Sequence, residues 1–252
     1  MTRTAETSML PVRQAFLIAY MTGVLWLRRN PMSLVFTAIS PFSLLFVLFV
    51  ISGGQYVQPA VAGSLVMALV GYGLALGQDI SFYKTEYKVQ DLFVASPVSP
   101  LTYMMGLALS ELLFGLPALI ALASLVMFFG GSVSSIPLLV ATILLIWGSM
   151  SAMGFFLSSH MLHMRNATQV ISFVNVILTI LPPVFYPIAA VPAELLPLAY
   201  AMPTTHASLI IQYIMSGDAP EGWSLGFGFA VQAAYLVGFV VLAKTKAIWR
   251  ES

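Results

Sequence analysis

The chain contains no cysteine, and only 8% of its 252 residues are charged. Without thiols, it cannot form disulfides, thiolate metal sites or a cysteine nucleophile. A soluble domain has about 25% charged residues and a disordered chain is poor in large apolar side chains, so a chain that is 60% apolar fits neither class. Its ten Lys and Arg are too dispersed for the dense basic patch of a nucleic-acid binder. The composition is typical of a polytopic membrane protein.

The apolar residues are gathered into long runs. A helix needs about 20 residues to cross the hydrocarbon layer, and the runs of this length are 32–52, 59–78, 103–130, 137–158, 170–188 and 223–243. None alternates with the period of two that barrel strands require. The sequence therefore predicts an all-α protein with six transmembrane helices in a single transmembrane domain over residues 1–252. Gly73 and Gly77, one helical turn apart, predict close helix packing inside one subunit.

The first apolar run is too short to span. It covers 15–27 and is bounded by Arg13 and by Arg28 and Arg29. At 1.5 Å per residue it reaches only about 20 Å. An apolar helix bounded by arginines is typical of one that lies in the membrane interface, so we expect an amphipathic interfacial helix over 11–30.

All ten Lys and Arg fall on one side of the predicted spans, the side that carries both termini. The segments on the other side hold Glu194, Asp218 and Glu221 and no positive charge. Because positive loops stay in the cytoplasm, we expect a protein of the cytoplasmic (inner) membrane with both termini in the cytoplasm.

Two connecting segments have sequence patterns that a simple loop would not require. On the cytoplasmic side, residues 79–102 place Phe82, Glu86 and Phe93 on one face of a short predicted helix, which ends before Pro97 and Pro100. A solvated loop with interfacial aromatics remains the alternative for this segment. On the external side, residues 181–212 hold six prolines yet stay apolar, which predicts a re-entrant hairpin and a further amphipathic helix from Glu194 to about Ala201. His206 is expected to cap the end of this hairpin.

Together these two segments point to a family. The stretches EYKVQDLFVASPVSPLTYMMG (86–106) and FYPIAAVPAELLPLAYAMPTTHA (185–207), on six spans after an interfacial helix, resemble the permease subunit of ABC-2 type exporters. The resemblance implies a homodimer that pairs with two ATPase subunits, with ATP and Mg on those partners and no cofactor bound by this chain. The 252 residues themselves contain no phosphate-binding Gly-x-x-x-x-Gly-Lys-Ser/Thr loop.

With the resemblance come candidate site residues. We expect the cytoplasmic segment to dock into the ATPase as a coupling helix, and its predicted contacts and stiffening prolines are Phe82, Glu86, Asp91, Leu92, Phe93, Pro97 and Pro100. The external gate or re-entrant segment is predicted to include Pro183, Phe185, Tyr186, Pro187, Pro192 and Pro203.

Polar residues inside the spans are few. Glu111 is either a gate or pairing residue of the translocation path or a carboxylate that reaches back to the interface. Ser172, Asn175 and Thr179 share one face of the fifth span, where they either line the path or bond to a neighbouring helix.

The predicted function is that of an ATP-driven export permease for an amphiphilic, drug-like or lipid-like substrate. The alternatives are a polysaccharide or glycolipid exporter and an ion-coupled secondary transporter. An intramembrane enzyme is disfavoured because no catalytic motif is present, and His160 and His163 beside Arg165 are too few ligands to predict a metal site. The predicted partners are a second copy, two ATPase subunits and the lipid bilayer, with no nucleic acid.

Overall fold

The computed structural model describes residues 2–86, 88, 93, 95–96, 98–161 and 163–247, with side chains from residue 11 onward. Its regular structure is helical, and no strand occurs in these ranges, which confirms the all-α prediction. The α-helices are α1 (Thr2–Ala19), α2 (Leu25–Arg29), α3 (Ser33–Ile51), α4 (Val57–Thr85), α5 (Pro100–Phe128), α6 (Ile136–Ser159), α7 (Met164–Ile180), α8 (Leu196–Ala201), α9 (Pro203–Ser216) and α10 (Leu225–Lys246).

Within the described residues, five helical segments are long and apolar enough to cross a membrane. They are α3, α4, α5, α10 and the segment Val133–Ser159, in which a short 3₁₀ turn leads into α6. Their 19 to 29 residues cover the roughly 30 Å hydrocarbon layer. The chain is therefore a multi-pass membrane protein.

The predicted span 170–188 has different bounds in the structure. Helix α7 begins earlier, at Met164, and ends at Ile180. Its 17 residues reach about 26 Å, slightly less than the hydrocarbon layer. The helix stops early because Pro182 and Pro183 lack N–H donors and disfavour helical backbone before them. The apolar run to residue 188 is thus longer than the helix, whereas the six prolines from Pro182 onward predict an end near Pro182, which agrees with the structure. A sixth crossing stays a prediction.

Helix α4 is the centre of the bundle, and it packs against α3, α5, α6, α7 and α9. A Cβ on Gly73 would lie 2.5 Å from the Cβ of Met150, and one on Gly77 would lie 2.7 Å from the carbonyl oxygen of Gly154. Only residues without a side chain let the backbones of α4 and α6 approach this closely. The glycine pair therefore packs inside one subunit, as predicted.

The N-terminal helix is packed along α5. It runs from α1 through a π-helical turn, Tyr20–Val24, into α2. Ile18 lies against Gly106, Gly23 against Ser110, and the ring of Trp26 is 5.3 Å from that of Phe114. The three contacts follow one another along eight residues of both helices, a distance of about 12 Å. The helix thus runs along α5, and its position in the membrane interface stays a prediction.

The segment between α7 and α10 is mostly ordered helix and turn. Bends at 181–186 lead to two 3₁₀ turns, Ile188–Ala190 and Ala193–Leu195, and then to α8, close to the predicted amphipathic helix. Helix α9 follows at once and is largely buried against α4, α6 and α10. The sequence does not predict α9, because its Pro203 was attributed to the hairpin, whereas proline is well tolerated in the first turn of a helix.

Candidate functional site

Two carboxyl groups meet between the C-terminal end of α4 and the N-terminal half of α5. Asp79 of α4 and Glu111 of α5 are hydrogen-bonded to each other. Only 7% of the Glu111 surface is exposed. Because an ionised carboxylate can only accept hydrogen bonds, this contact requires a proton shared between the two groups. Glu111 is therefore buried and hydrogen-bonded to Asp79, and its role in a translocation path stays a prediction.

The carboxyl pair lines a cavity of about 290 Å³. Its wall combines hydroxyl groups and aromatic rings with the two acids, and its other lining residues are Thr22, Trp26, Ser33, Thr37, Phe82, Tyr83 and Phe114. The hydroxyl of Tyr72, beside this wall, donates to the carbonyl oxygen of Thr37 at 3.1 Å and ties α4 to α3. The cavity thus lies where the N-terminal helix, α3, α4 and α5 converge.

The predicted coupling segment begins inside α4. Phe82 belongs to that helix and lines the carboxyl cavity, and Glu86 is its exposed C-terminal cap. Lys88 then adopts a left-handed backbone with φ of 51°, which no α-helix contains. A single helix from Phe82 to Phe93 is therefore wrong, since α4 ends at Thr85 and Lys88 is not helical.

The far end of the same segment is held against α5. Phe93 stacks on Tyr103 with ring centroids 4.9 Å apart. Pro100 is the first residue of α5, and the Ser99 side chain accepts from the backbone N–H of Thr102 at 3.1 Å, as an N-cap does. Asp91, Leu92 and Pro97 lie outside the described residues.

The polar stripe predicted on α7 is divided between two environments. Thr179 is buried and donates to the carbonyl oxygen of Asn175 at 2.7 Å. The amide nitrogen of Asn175 points toward Gly71 of α4. Ser172 is exposed, on a face that it shares with Asn166 and Gln169. The structure therefore separates an inward pair from an outward polar face.

The segment predicted to be external forms one packed layer, called the external layer after that prediction. It surrounds a small apolar cavity of about 120 Å³, which Pro183, Tyr186 and Pro192 line. The ring of Phe185 packs on Gly63 of α4, and Pro187 precedes the first 3₁₀ turn. Ser208 of α9 donates to the carbonyl oxygen of Val184 at 2.8 Å. The layer is thereby fixed to both α4 and α9, and Pro203 starts the latter.

His206 is at the centre of this external layer. It is completely buried in α9, and both of its ring nitrogens have partners, the Tyr200 carbonyl oxygen at 2.8 Å and the Trp223 indole nitrogen at 3.1 Å. Burial lowers the pKa of the imidazole, a shift that the hydrogen bond to the Tyr200 carbonyl partly opposes. The predicted cap of the hairpin is thus a bridge between three segments.

Comparison with known families agrees with this architecture. The family model described as ABC-2 type transporter matches residues 3–216, which include every helix from α1 to α9. The chain belongs to the ABC-2 type transporter family. No curated protein matches the chain in sequence. An ABC-2 membrane domain is a transport permease and is not itself catalytic, and such permeases typically work with ATPase subunits in a membrane.

Sequence reasoning missed Asp79 and the partners of His206. Asp79 was placed at the start of a loop, although no proline separates it from the apolar run before it, which could have kept it in α4. Trp223 and Tyr200 are 17 and six residues from His206, and no local pattern connects them.

Proposed function

We propose that this ABC-2 permease is half of an ATP-driven exporter, in which two copies enclose a path for an amphiphilic substrate and a separate ATPase drives each cycle. The observation that carries the proposal is the outward face of α7. Asn166, Gln169 and Ser172 are exposed there, followed by Phe173 and Val176. Hydrogen-bonding groups facing lipid are unfavourable, so a second copy or an aqueous path is the better neighbour for this face.

The same face suggests the substrate class. Its polar residues come first along α7 and its large apolar residues follow, which suits a molecule with a polar head and an apolar body. A second cavity, of about 440 Å³, is lined only by apolar side chains of α3, α4 and α5, among them Phe42, Phe46, Phe49 and Phe129. A glycan would require hydrogen-bonding groups in such places, so a drug-like or lipid-like amphiphile is favoured.

Coupling to the ATPase would act through α4. Glu86 caps the exposed end of α4, while Phe82 and Asp79 of the same helix line the carboxyl cavity. Because a continuous helix transmits displacement along its axis, a force on Glu86 would reach the carboxyl pair directly. The stacking of Phe93 on Tyr103 would carry the same force to α5.

The experiment is ATP-dependent transport of a fluorescent amphiphile by cells that express the chain together with its ATPase subunit. Glu86→Arg and Phe93→Asp should each lower transport about tenfold or more, as expected when a charged or apolar contact at an interface is reversed. Glu194→Arg is the matched control, since it makes the same charge change at an exposed position of the opposite end and should leave transport unchanged.

Normal transport by Glu86→Arg and Phe93→Asp, with each variant present in the membrane at ordinary amounts, would contradict the coupling role. Transport that persists without any ATPase or nucleotide would contradict the exporter itself and favour an ion-coupled transporter.

The proposed orientation places both termini and Lys88 in the cytoplasm and Glu194 outside. Because the chain has no native cysteine, Glu194→Cys should react with a membrane-impermeant maleimide added to intact cells. Lys88→Cys should react only after the cells are opened, although both positions are exposed in the structure. The reverse pattern would overturn the orientation.

A further inference from the structure

The hydrogen bonds of His206 define which of its nitrogens carries a proton. The indole N–H of Trp223 is solely a donor, so Nδ1 of His206, 3.1 Å away, must accept from it. The proton of the neutral ring is then on Nε2, which donates to the carbonyl oxygen of Tyr200 at 2.8 Å. Both nitrogens are satisfied only when the imidazole is neutral.

A second proton has no acceptor in this arrangement. It would be placed on Nδ1 and would point at the indole N–H of Trp223, so two donors would face each other. The imidazole is also fully buried, and burial disfavours its charged form. Its neighbours include the ring of Phe227, packed edge-on with centroids 5.2 Å apart. Protonation would therefore break the contact to Trp223.

That contact joins the parts of the external layer. Tyr200 ends α8, His206 lies in the first turns of α9, and Trp223 precedes α10. A second bond reinforces the same junction, because the hydroxyl of Tyr235 in α10 donates to the carbonyl oxygen of Ala201 at 2.7 Å. The bond from His206 to Tyr200, the bond from Tyr235 to Ala201 and the His206–Trp223 bond are together called the external clasp. Helices α8, α9 and α10 are held together by it.

The surroundings offer few charges that could offset a protonated His206. The titratable side chains on α8 and α10 near the clasp are Tyr200, whose ring centroid is 6.0 Å from the imidazole, and Tyr235. The outer halves of α4, α5 and α6 contain no His, Lys, Arg, Asp, Glu or Tyr. The nearest acids in sequence are Glu194, Asp218 and Glu221, all on exposed or partly exposed turns.

We infer that His206 is the proton-operated part of the external clasp: its neutral ring bonds both α8 and Trp223 at the start of α10, and a second proton on Nδ1 releases Trp223 while the bond from Nε2 to Tyr200 remains. The inference rests on the proposed orientation only for which compartment supplies the proton. The external layer would thus open more readily when the compartment outside the membrane is acidic, and an exported molecule would leave through it.

The direction of the pH effect follows from the lowered pKa of His206. In the unfolded or released state the imidazole titrates near its ordinary value of about 6.5. Since the closed state binds that proton less readily, the closed clasp is fully stable above about pH 6.5 and loses stability as the pH falls from there through the lowered pKa.

The test measures the distance between α8 and α10 at two pH values. Spin labels at Leu198→Cys and Val237→Cys, both exposed and in a chain without other cysteines, report this distance by electron–electron resonance in detergent. Labelled chain is mixed with excess unlabelled chain so that each assembly carries one pair. We expect one short-distance population at pH 7.5 and a second, longer one at pH 5.

Two variants decide the cause. In His206→Gln the amide can accept from Trp223 and donate to Tyr200 but does not titrate, so the longer population should be absent at both pH values. In Trp223→Phe the bond to Nδ1 is absent at any pH, so the longer population should be present at both pH values. A pH response that persists in His206→Gln, or no response with His206 in place, would overturn the inference.

Because this measurement needs neither transport nor an ATPase, its outcome is independent of the exporter assay. Failure of transport with a normal distance change would remove the proposed function and leave the clasp intact. If His206→Gln does not fold, Trp223→Phe alone decides, and a longer population confined to pH 5 in that variant contradicts the clasp.

Discussion

The two buried polar centres of this protein lie at opposite ends of the bundle and are built differently. At one end Asp79 and Glu111 share a proton and face a cavity of about 290 Å³, so their remaining oxygen lone pairs have space beside them. At the other end His206 is enclosed and both of its nitrogens are used. The carboxyl pair can therefore exchange hydrogen-bond partners during a transport cycle, whereas His206 can only keep or lose the partners that it has.

The largest effect should come from breaking the carboxyl pair. Glu111→Ala would leave Asp79 buried without the group that shares its proton, and an unsatisfied buried polar group costs about 1–3 kcal/mol. Glu111→Gln keeps a donor for Asp79 in a side chain of the same shape and should cost less. The measurement is the free energy of unfolding in mixed micelles, followed by far-ultraviolet circular dichroism.

Equal unfolding free energies for Glu111→Ala and Glu111→Gln would contradict the shared proton. That result would mean that water in the cavity already satisfies the hydrogen bonds of Asp79. The carboxyl pair and His206 would then differ only in their hydration.

A smaller effect is expected at the external clasp from Tyr235→Phe. The substitution removes the single hydrogen bond to the Ala201 carbonyl, worth about 0.5–1.5 kcal/mol, and Ala201 is exposed enough for water to replace it. The same unfolding assay applies, and the pH response of the α8–α10 distance should survive because His206 and Trp223 are untouched. Loss of that response would mean that the Tyr235 bond, and not His206, controls the distance between α8 and α10.

Sequence periodicity and length were sufficient for the helices, because an apolar run long enough to cross the bilayer can hardly form anything else. Periodicity and length did not place the helix ends near proline, because proline can either end a helix or begin one. Pro182 and Pro183 end α7, while Pro203 begins α9, and only the neighbouring packing separates a stop from a start.

The candidate site was predictable in part. Glu111 stood out as an ionisable residue in an apolar run, but its partner Asp79 is 32 positions away, and their meeting depends on how α4 packs on α5. The polar stripe on α7 was visible as a helical pattern, yet which of its members face inward depends on Gly71 and the rest of α4. The roles of Asp91, Leu92 and Pro97 stay predictions.

The central claim, that the outward face of α7 lies against a second copy or the path between copies, is tested most directly by cross-linking in native membranes. Ser172→Cys should form a covalent dimer with a flexible bismaleimide, and Val237→Cys, equally exposed but on α10, should not. A dimer band from Ser172→Cys alone is the predicted result. No dimer from Ser172→Cys, or equal dimer from both positions, would contradict the account.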